Sequence, residues 1–312
     1  NNWTKDEKMK VVFLGTGAGM PSKLRNVSGT VLDLSQENGT HWLFDCGEAT
    51  QHQILYTSIK PRKIEKIFIS HLHGDHIFGL PGLLGSRSHQ NGETKVCIYG
   101  PKGLEEFIYT AFKVSQTKLT YELQIYVVEE GVIFEDEHLV VKAKRMQHGM
   151  LCFGYSILQK DLPGALQVER LKAMGIQPGP IYQEIKQGKQ ITLPNGHVIC
   201  GTDFIGAPKK GKKLTFITDT HAISQSIQFA QGSDLLIHEG TFSQAEALQA
   251  EQYFHSTVSQ AAQIAKEAKV KQLILTHISS RYQKKDWLTL LEEATCIFPN
   301  TVMAEDWSEW VF

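Results

Sequence analysis

Cysteine is scarce in this chain of 312 residues. The five present (Cys46, Cys97, Cys152, Cys200 and Cys296) are scattered, odd in number and never spaced as a CxxC pair. Neither a disulfide framework nor a thiolate zinc finger is indicated, and the usage fits a reduced, cytoplasmic protein. No apolar run approaches the roughly 18 residues needed to cross a bilayer, so no membrane span is expected. Charge of one sign is missing too, since the formal net charge is −1. A chain-wide basic field, the footprint of a general nucleic-acid binder, is therefore absent, and any such contact must come from local patches. The polar start, Asn1 to Lys8, reads as a tag remnant or polar tail and not as a signal peptide.

What is present is enough apolar residue for one large α/β domain or two small ones. Short runs rich in β-branched residues and bounded by Gly, Asp or Pro read as strands. They are Val11–Leu14, Thr30–Leu34, Trp42–Phe44, Ile67–Ile69, Val96–Tyr99, Val140–Ala143, Leu214–Ile217, Leu235–Ile237 and Leu273–Leu275. The clearest helix starts near Thr257, where Thr257 and Gln260 fit a capping box and Ala261, Ile264, Ala265 and Ala268 supply an apolar face. Strands dominate the first half with few helices between them, so two sheets with helices outside fit better than one doubly wound sheet. From about Leu158 to Lys213 the strand signal fades. Pro and Gly cluster there (Pro163-Gly164, Pro178-Gly179-Pro180), together with Lys160, Arg170, Lys172, Lys186, Lys189, Lys209, Lys210, Lys212 and Lys213. So long a stretch inside a compact domain is usually functional or mobile, with a solvated surface insertion as the alternative.

The strongest chemical signal is Ser70-His71-Leu72-His73-Gly74-Asp75-His76, directly after Ile67–Ile69. Imidazole and carboxylate suit Zn2+, with Mn2+ also possible. Residues two apart on an extended chain point the same way, so His71 and His73 share one ion, and the turn after Gly74 sends Asp75 and His76 to a second. His148, Asp219 and His277 each follow a strand-like run, where α/β sheets build sites. The expected arrangement places His71, His73 and His148 on the first ion, Asp75, His76 and His277 on the second, and Asp219 between them. Zinc lowers the pKa of a bound water to roughly 7, which suits hydrolysis at neutral pH. Asp45, at the end of Trp42–Phe44, is placed either to orient a ligand histidine or simply to make a turn.

His71–His76 resembles the His-x-His-x-Asp-His motif of the metallo-β-lactamase superfamily, whose fold is a four-layer αββα sandwich of the α/β class. More specific stretches resemble the ribonuclease Z family, the tRNA 3′-end processing endonucleases. They include Pro21-Ser22-Lys23-Leu24-Arg25-Asn26, Leu43 through Glu48 with Thr50-Gln51-His52-Gln53, Gly79 through Leu84, and Tyr99-Gly100-Pro101-Lys102-Gly103. His238-Glu239, Tyr253 through Thr257 and Thr276 through Ser279 continue the match, in order, over nearly the whole chain.

The resemblance implies a single domain over 9–312 with an inserted, protruding tRNA-binding arm at about 158–205. It implies the same seven metal ligands, two zinc ions per subunit, precursor tRNA as substrate and a homodimer whose arm grips tRNA from the partner subunit. Asp75 would accept a proton from the attacking water, and Glu239 with His255 would assist the leaving 3′ oxygen. Lys23, Arg25 and Asn26 would lie near the 3′ end of the acceptor stem. Thr218 and Gly240 depart from the glycine and alanine common at those positions, which implies altered local packing. A small-molecule phosphodiesterase on the same fold is the alternative, and a metal-stabilised RNA-binding protein without catalysis is a second. The Gly15–Gly19 run does not fit a dinucleotide loop, because its spacing is Gly-x-Gly-x-Gly and Pro21 interrupts the helix that should follow. His41, His89, His138, His197 and His221 receive no role.

Overall fold

A computed structural model describes residues 9–36, 38–162, 164–193 and 196–312; Asn1 to Lys8 and Pro163 lie outside the described residues. Each of the nine apolar runs falls on a strand, and the one at Ile67 begins earlier, at Ile64, and stops at Phe68. Fourteen strands form two seven-stranded sheets. The first runs in the order Glu309–Val311, Lys10–Gly15, Gly29–Leu34, Thr40–Phe44, Ile64–Phe68, Val96–Gly100 and Leu123–Val127. It is antiparallel up to Thr40–Phe44 and parallel beyond. The second runs in the order Thr301–Met303, Gln272–Thr276, Leu235–Glu239, Lys213–Ile217, Cys152–Gln159, Leu139–Met146 and Gly131–Glu135.

The side-chain period of two decides the layering. Trp42, Phe44 and Phe68 of the first sheet meet Phe134, Phe216 and Tyr155 of the second, with ring centroids 5.5, 5.2 and 5.5 Å apart. Leu43 and Ile67 point the other way and share a core with Leu83, Leu104 and Ile108 from helices Leu80–His89 and Leu104–Ser115. On the outer face of the second sheet, Leu236, Leu273 and Leu275 pack with helices Val258–Glu267 and Trp287–Thr295. The result is helix, sheet, sheet, helix. Strands covered on both faces need apolar residues at successive positions, which is why they read as continuous runs. Burying one such Leu or Phe contributes about 1.5–3 kcal/mol.

Five strands of the two sheets had no run to mark them: Leu123–Val127, Gly131–Glu135, Thr301–Met303, Glu309–Val311 and Cys152–Gln159. The last is a central strand, but Gly154, Ser156 and Gln159 dilute its apolar signal. The first half also carries more helix than its sequence suggested, with ten residues in Leu80–His89 and twelve in Leu104–Ser115. The expected capping box is formed at helix Val258–Glu267: Thr257 accepts from the Gln260 backbone, and the Gln260 side chain accepts from the Thr257 backbone.

By contact density the chain forms two compact units, of which the smaller comprises Asp136–Leu139 and Leu158–Lys212. That unit holds helices Val168–Ala173 and Pro180–Lys186 and the hairpin of Gln190–Thr192 with Val198–Cys200. Leu171, Ile185, Ile199 and Phe204 anchor its own core, while Arg170, Lys172, Lys186, Lys189, Lys209 and Lys210 are exposed. Among the described residues no helix is long and apolar enough to cross a membrane.

Candidate metal centre

Parallel strands of both sheets end at one place. Strand Ile64–Phe68 leads through Ser70 into His71 and His73, still extended, and the short helix Gly74–Ile77 then carries Asp75 and His76. His148, Asp219 and His277 follow the ends of Leu139–Met146, Lys213–Ile217 and Gln272–Thr276. Asp45, Asp219 and His277 all hold positive φ, at 55°, 25° and 56°. Non-glycine residues seldom adopt such backbone, and it clusters where a site over-determines the chain.

The seven expected ligands fall into two groups, and Asp219 and His277 also meet His255 in a third. His71 Nε2 lies 2.9 Å from His73 Nδ1, and His148 Nε2 lies 3.2 Å from that same atom. Asp219 Oδ2 faces this group, 3.7 Å from His71 Nε2 and 4.0 Å from His148 Nε2. Asp219 Oδ1 faces the other group, 3.3 Å from both His76 Nε2 and His277 Nε2. Asp75 Oδ2 completes that second group, 3.3 Å from His76 Nε2 and 3.4 Å from His277 Nε2. Burial raises the Asp75 and Asp219 carboxyl pKa values, but the surrounding histidines outweigh it and hold both well below the usual carboxylate range.

The residues suit a metal such as zinc. Four imidazoles have their far nitrogen engaged by an oxygen: His71 Nδ1 with Ser70 Oγ at 3.0 Å, His76 Nδ1 with Asp45 Oδ2 at 2.8 Å, His148 Nδ1 with the Phe254 carbonyl at 3.1 Å, and His277 Nδ1 with Thr241 Oγ1 at 3.0 Å. A proton held on the far nitrogen leaves the near one as a lone-pair donor, as metal ligation requires. His76 Nε2 and Asp219 Oδ1 are fully buried and make no hydrogen bond among the described residues, a costly arrangement that a cation would relieve. Ser70, Thr241 and the Phe254 carbonyl were not singled out as orienting groups from sequence. Only the position of Ser70, directly before the histidines, was a signal.

Glu239, the last residue of its strand, is fully buried. It accepts from the Thr220 and Ser256 backbone amides at 2.5 and 3.0 Å and from Thr241 Oγ1 at 2.5 Å, and its Oε1 lies 3.1 Å from His255 Nδ1. Burial opposes charge on both partners, but their mutual attraction prevails: Glu239 sits below its usual range and His255 is raised to about 9. His255 Nδ1 also lies 4.0 Å from Asp219 Oδ2, which brings the pair to the edge of the centre.

The loop before strand Gly29–Leu34 touches the centre through one bond, from the Gly19 amide to Asp75 Oδ2 at 2.9 Å. Lys23 is exposed there, and Asn26 is half-buried, its amide donating to the Glu48 carbonyl at 2.8 Å. Arg25 does not fit the expected RNA contact. It is only 3% exposed, donates to Thr16 Oγ1 and the Ala304 carbonyl at 2.7 and 2.5 Å, and stacks 3.9 Å from the Trp287 ring centre. Gly15 and Gly17 serve close packing, a Cβ on Gly15 lying 1.7 Å from the Val27 carbonyl oxygen, whereas Gly19 has open space around it and a φ of 70°. At the two departures, an alanine Cβ at 240 would come within 2.9 Å of Val258 Cγ1, and the buried Thr218 hydroxyl has no hydrogen-bond partner among the described residues.

Residues 9–160 match a family described as Anti-Pycsar protein Apyc1, and residues 187–278 match one described as Beta-lactamase superfamily domain. A protein named Ribonuclease Z from Anoxybacillus flavithermus (strain DSM 21510 / WK1) is 57% identical over 302 residues, covering 97% of each chain. Another of that name from Geobacillus kaustophilus (strain HTA426) is 56% identical over 302 residues, 97% of this chain and 98% of its own. The crystal structure of human tRNase Z, short form, aligns with a TM-score of 0.71 at 31% identity, over 97% of this chain and 98% of that one.

Proposed function

The chain belongs to the ribonuclease Z family, a metal-dependent endoribonuclease of tRNA 3′ processing, and from that premise we propose how its residues divide the work. His71, His73 and His148 would hold one Zn2+, Asp75, His76 and His277 would hold a second, and Asp219 would be shared by the two groups, with Mn2+ as the alternative ion. The observation that carries this reading is that the two carboxylate oxygens of Asp219 face different histidine groups. When bound, such ions lower the pKa of a water and stabilise charge on the phosphoryl oxygens.

Asp75 is the proton acceptor for the attacking water, kept in orientation by the Gly19 amide. Glu239 holds His255 by Nδ1, leaving Nε2 to deliver a proton to the departing 3′ oxygen. Cleavage leaves a 3′-hydroxyl on the tRNA and a 5′-phosphate on the trailer. Lys23 and Asn26 reach the acceptor end, and Arg25 supports their loop from inside. The arm at about 158–205 grips the tRNA body from the partner subunit of a homodimer. Exposed Arg170, Lys172, Lys186 and Lys189, with Lys209 and Lys210 just beyond the arm, are the candidates for phosphate contact, interspersed with the acidic Asp161, Glu169, Glu184 and Asp203. Free cysteines at all five positions support a cytoplasmic setting.

The test is cleavage of a 3′-extended tRNA precursor by metal-replete and chelated protein, beside a small aryl phosphodiester. Metal-dependent cutting just after the discriminator nucleotide is expected. An intact precursor with rapid turnover of the small ester would leave a phosphodiesterase of the same fold in its place.

A further inference from the structure

Phe254 stands apart from the other aromatic residues near the centre. Its φ is 58°, in the left-handed region that glycine enters freely and a bulky side chain does not. The conformation aims its carbonyl oxygen at His148 Nδ1, 3.1 Å away, while the residue remains 41% exposed. The next residue, His255, is the partner of Glu239. The ring itself lies over Gly149, where an added Cβ would sit 3.7 Å from Phe254 Cδ2, and the adjoining Met150 and Leu151 are also exposed. Orienting His148 needs only the backbone carbonyl, which any residue supplies. It explains neither the choice of phenylalanine nor an exposed ring at the lip of a polar centre.

We infer that the Phe254 ring is a stacking platform for a nucleobase beside the scissile phosphate, so that one residue both orients His148 through its carbonyl and positions RNA through its ring. Nucleobases present a π-face whatever their identity, and unstacked bases of single-stranded RNA are commonly received on aromatic side chains. A base held at this lip lies next to both the His148 group and the His255 proton donor, as a nucleotide flanking the cut must. The inference rests on the ribonuclease reading above.

Phe254→Gly isolates the ring, because glycine keeps the carbonyl and accepts the positive φ. The assay compares wild type, F254G and F254Y on a precursor tRNA with an intact strand and on two precursors with a single abasic residue, one 5′ and one 3′ of the cut. On the intact precursor F254G is expected to lose roughly 5- to 100-fold in kcat/KM, mainly through KM, with F254Y near wild type. The loss is expected to vanish on one abasic precursor, and which one tells on which side of the cut the stacked base lies. Three results would overturn the inference: F254G cutting the intact precursor like wild type, a loss unchanged on both abasic precursors, or a variant depleted of metal, which would place the defect at His148. Wild-type protein that left every precursor intact would sink the ribonuclease reading itself, and this inference with it.

Discussion

Replacing Asp45 with asparagine should separate the charge at the floor of the centre from everything else that residue does. Asp45 is fully buried, and its two oxygens accept from the Ser70 amide at 2.7 Å, from Ser70 Oγ at 2.8 Å and from His76 Nδ1 at 2.8 Å. Its φ of 55° suits asparagine as well as aspartate, so the backbone has no reason to move. The asparagine oxygen keeps the Ser70 amide, which leaves the amide nitrogen facing His76 Nδ1. Two N–H groups cannot face each other, so His76 must turn or shift its proton to Nε2, the atom that should bind metal. Losing one charge-assisted hydrogen bond costs about 1.5–3 kcal/mol, in line with the 10- to 100-fold loss of metal affinity typical when a ligand's orienting partner is removed. Titration against a chromogenic chelator should show that drop, and raised metal should restore kcat/KM on precursor tRNA. A D45N protein with wild-type metal affinity and only a lower unfolding temperature would refute the argument and leave Asp45 as a turn residue.

Arg25→Met should cost about 2–4 kcal/mol in urea unfolding, because the buried bonds to Thr16 and Ala304 go with it, and alter the KM for precursor tRNA only together with that loss of stability. A raised KM at wild-type stability would return Arg25 to the RNA interface. Gly47→Ala should lower stability by about 1–3 kcal/mol and reduce activity, since its Cβ would fall 2.3 Å from the Asp75 carbonyl oxygen and 2.6 Å from Val27 Cγ2; an unaltered melting curve would contradict that crowding. Asp33 predicts an acid limb to stability. Burial raises its carboxyl, but His41, Ser35 and Lys10 outweigh this and hold it well below the usual range. A depressed native pKa adds stability above the unfolded value, about 3.9, and that contribution is lost as pH falls toward the native one. The urea midpoint of D33N should therefore lie below wild type at pH 6, with the gap closing between pH 4 and 2; a gap independent of pH would refute the charge argument.

Much of the centre was written locally in the sequence. On an extended chain, positions 71 and 73 must face one way, and a following turn must redirect 75 and 76, so the spacing alone divides His71–His76 into two groups. Positions 148, 219 and 277 were legible as polar residues at the ends of apolar runs, because strands buried on both faces leave few other places for a histidine or aspartate. Their tie to the first cluster came from the family resemblance as much as from spacing. The capping box at Thr257 was legible for the same local reason, being a matter of residues three apart.

The tertiary structure decided what depends on direction and on distant partners. A long cationic side chain reads alike whether it reaches out or folds in, so only the packed Thr16, Ala304 and Trp287 revealed that Arg25 points inward. The central strand Cys152–Gln159 was hidden by its small and polar residues, whose faces are set by neighbours far along the chain. No spacing rule could say which oxygen of Asp219 meets which group, or that Ser70, Thr241 and the Phe254 carbonyl join Asp45, already a candidate from its place after Trp42–Phe44, in holding the far side of the histidine rings. Those contacts join strands and loops from both sheets. Their geometry is fixed by the way the layers pack, and a single chain position carries no record of it.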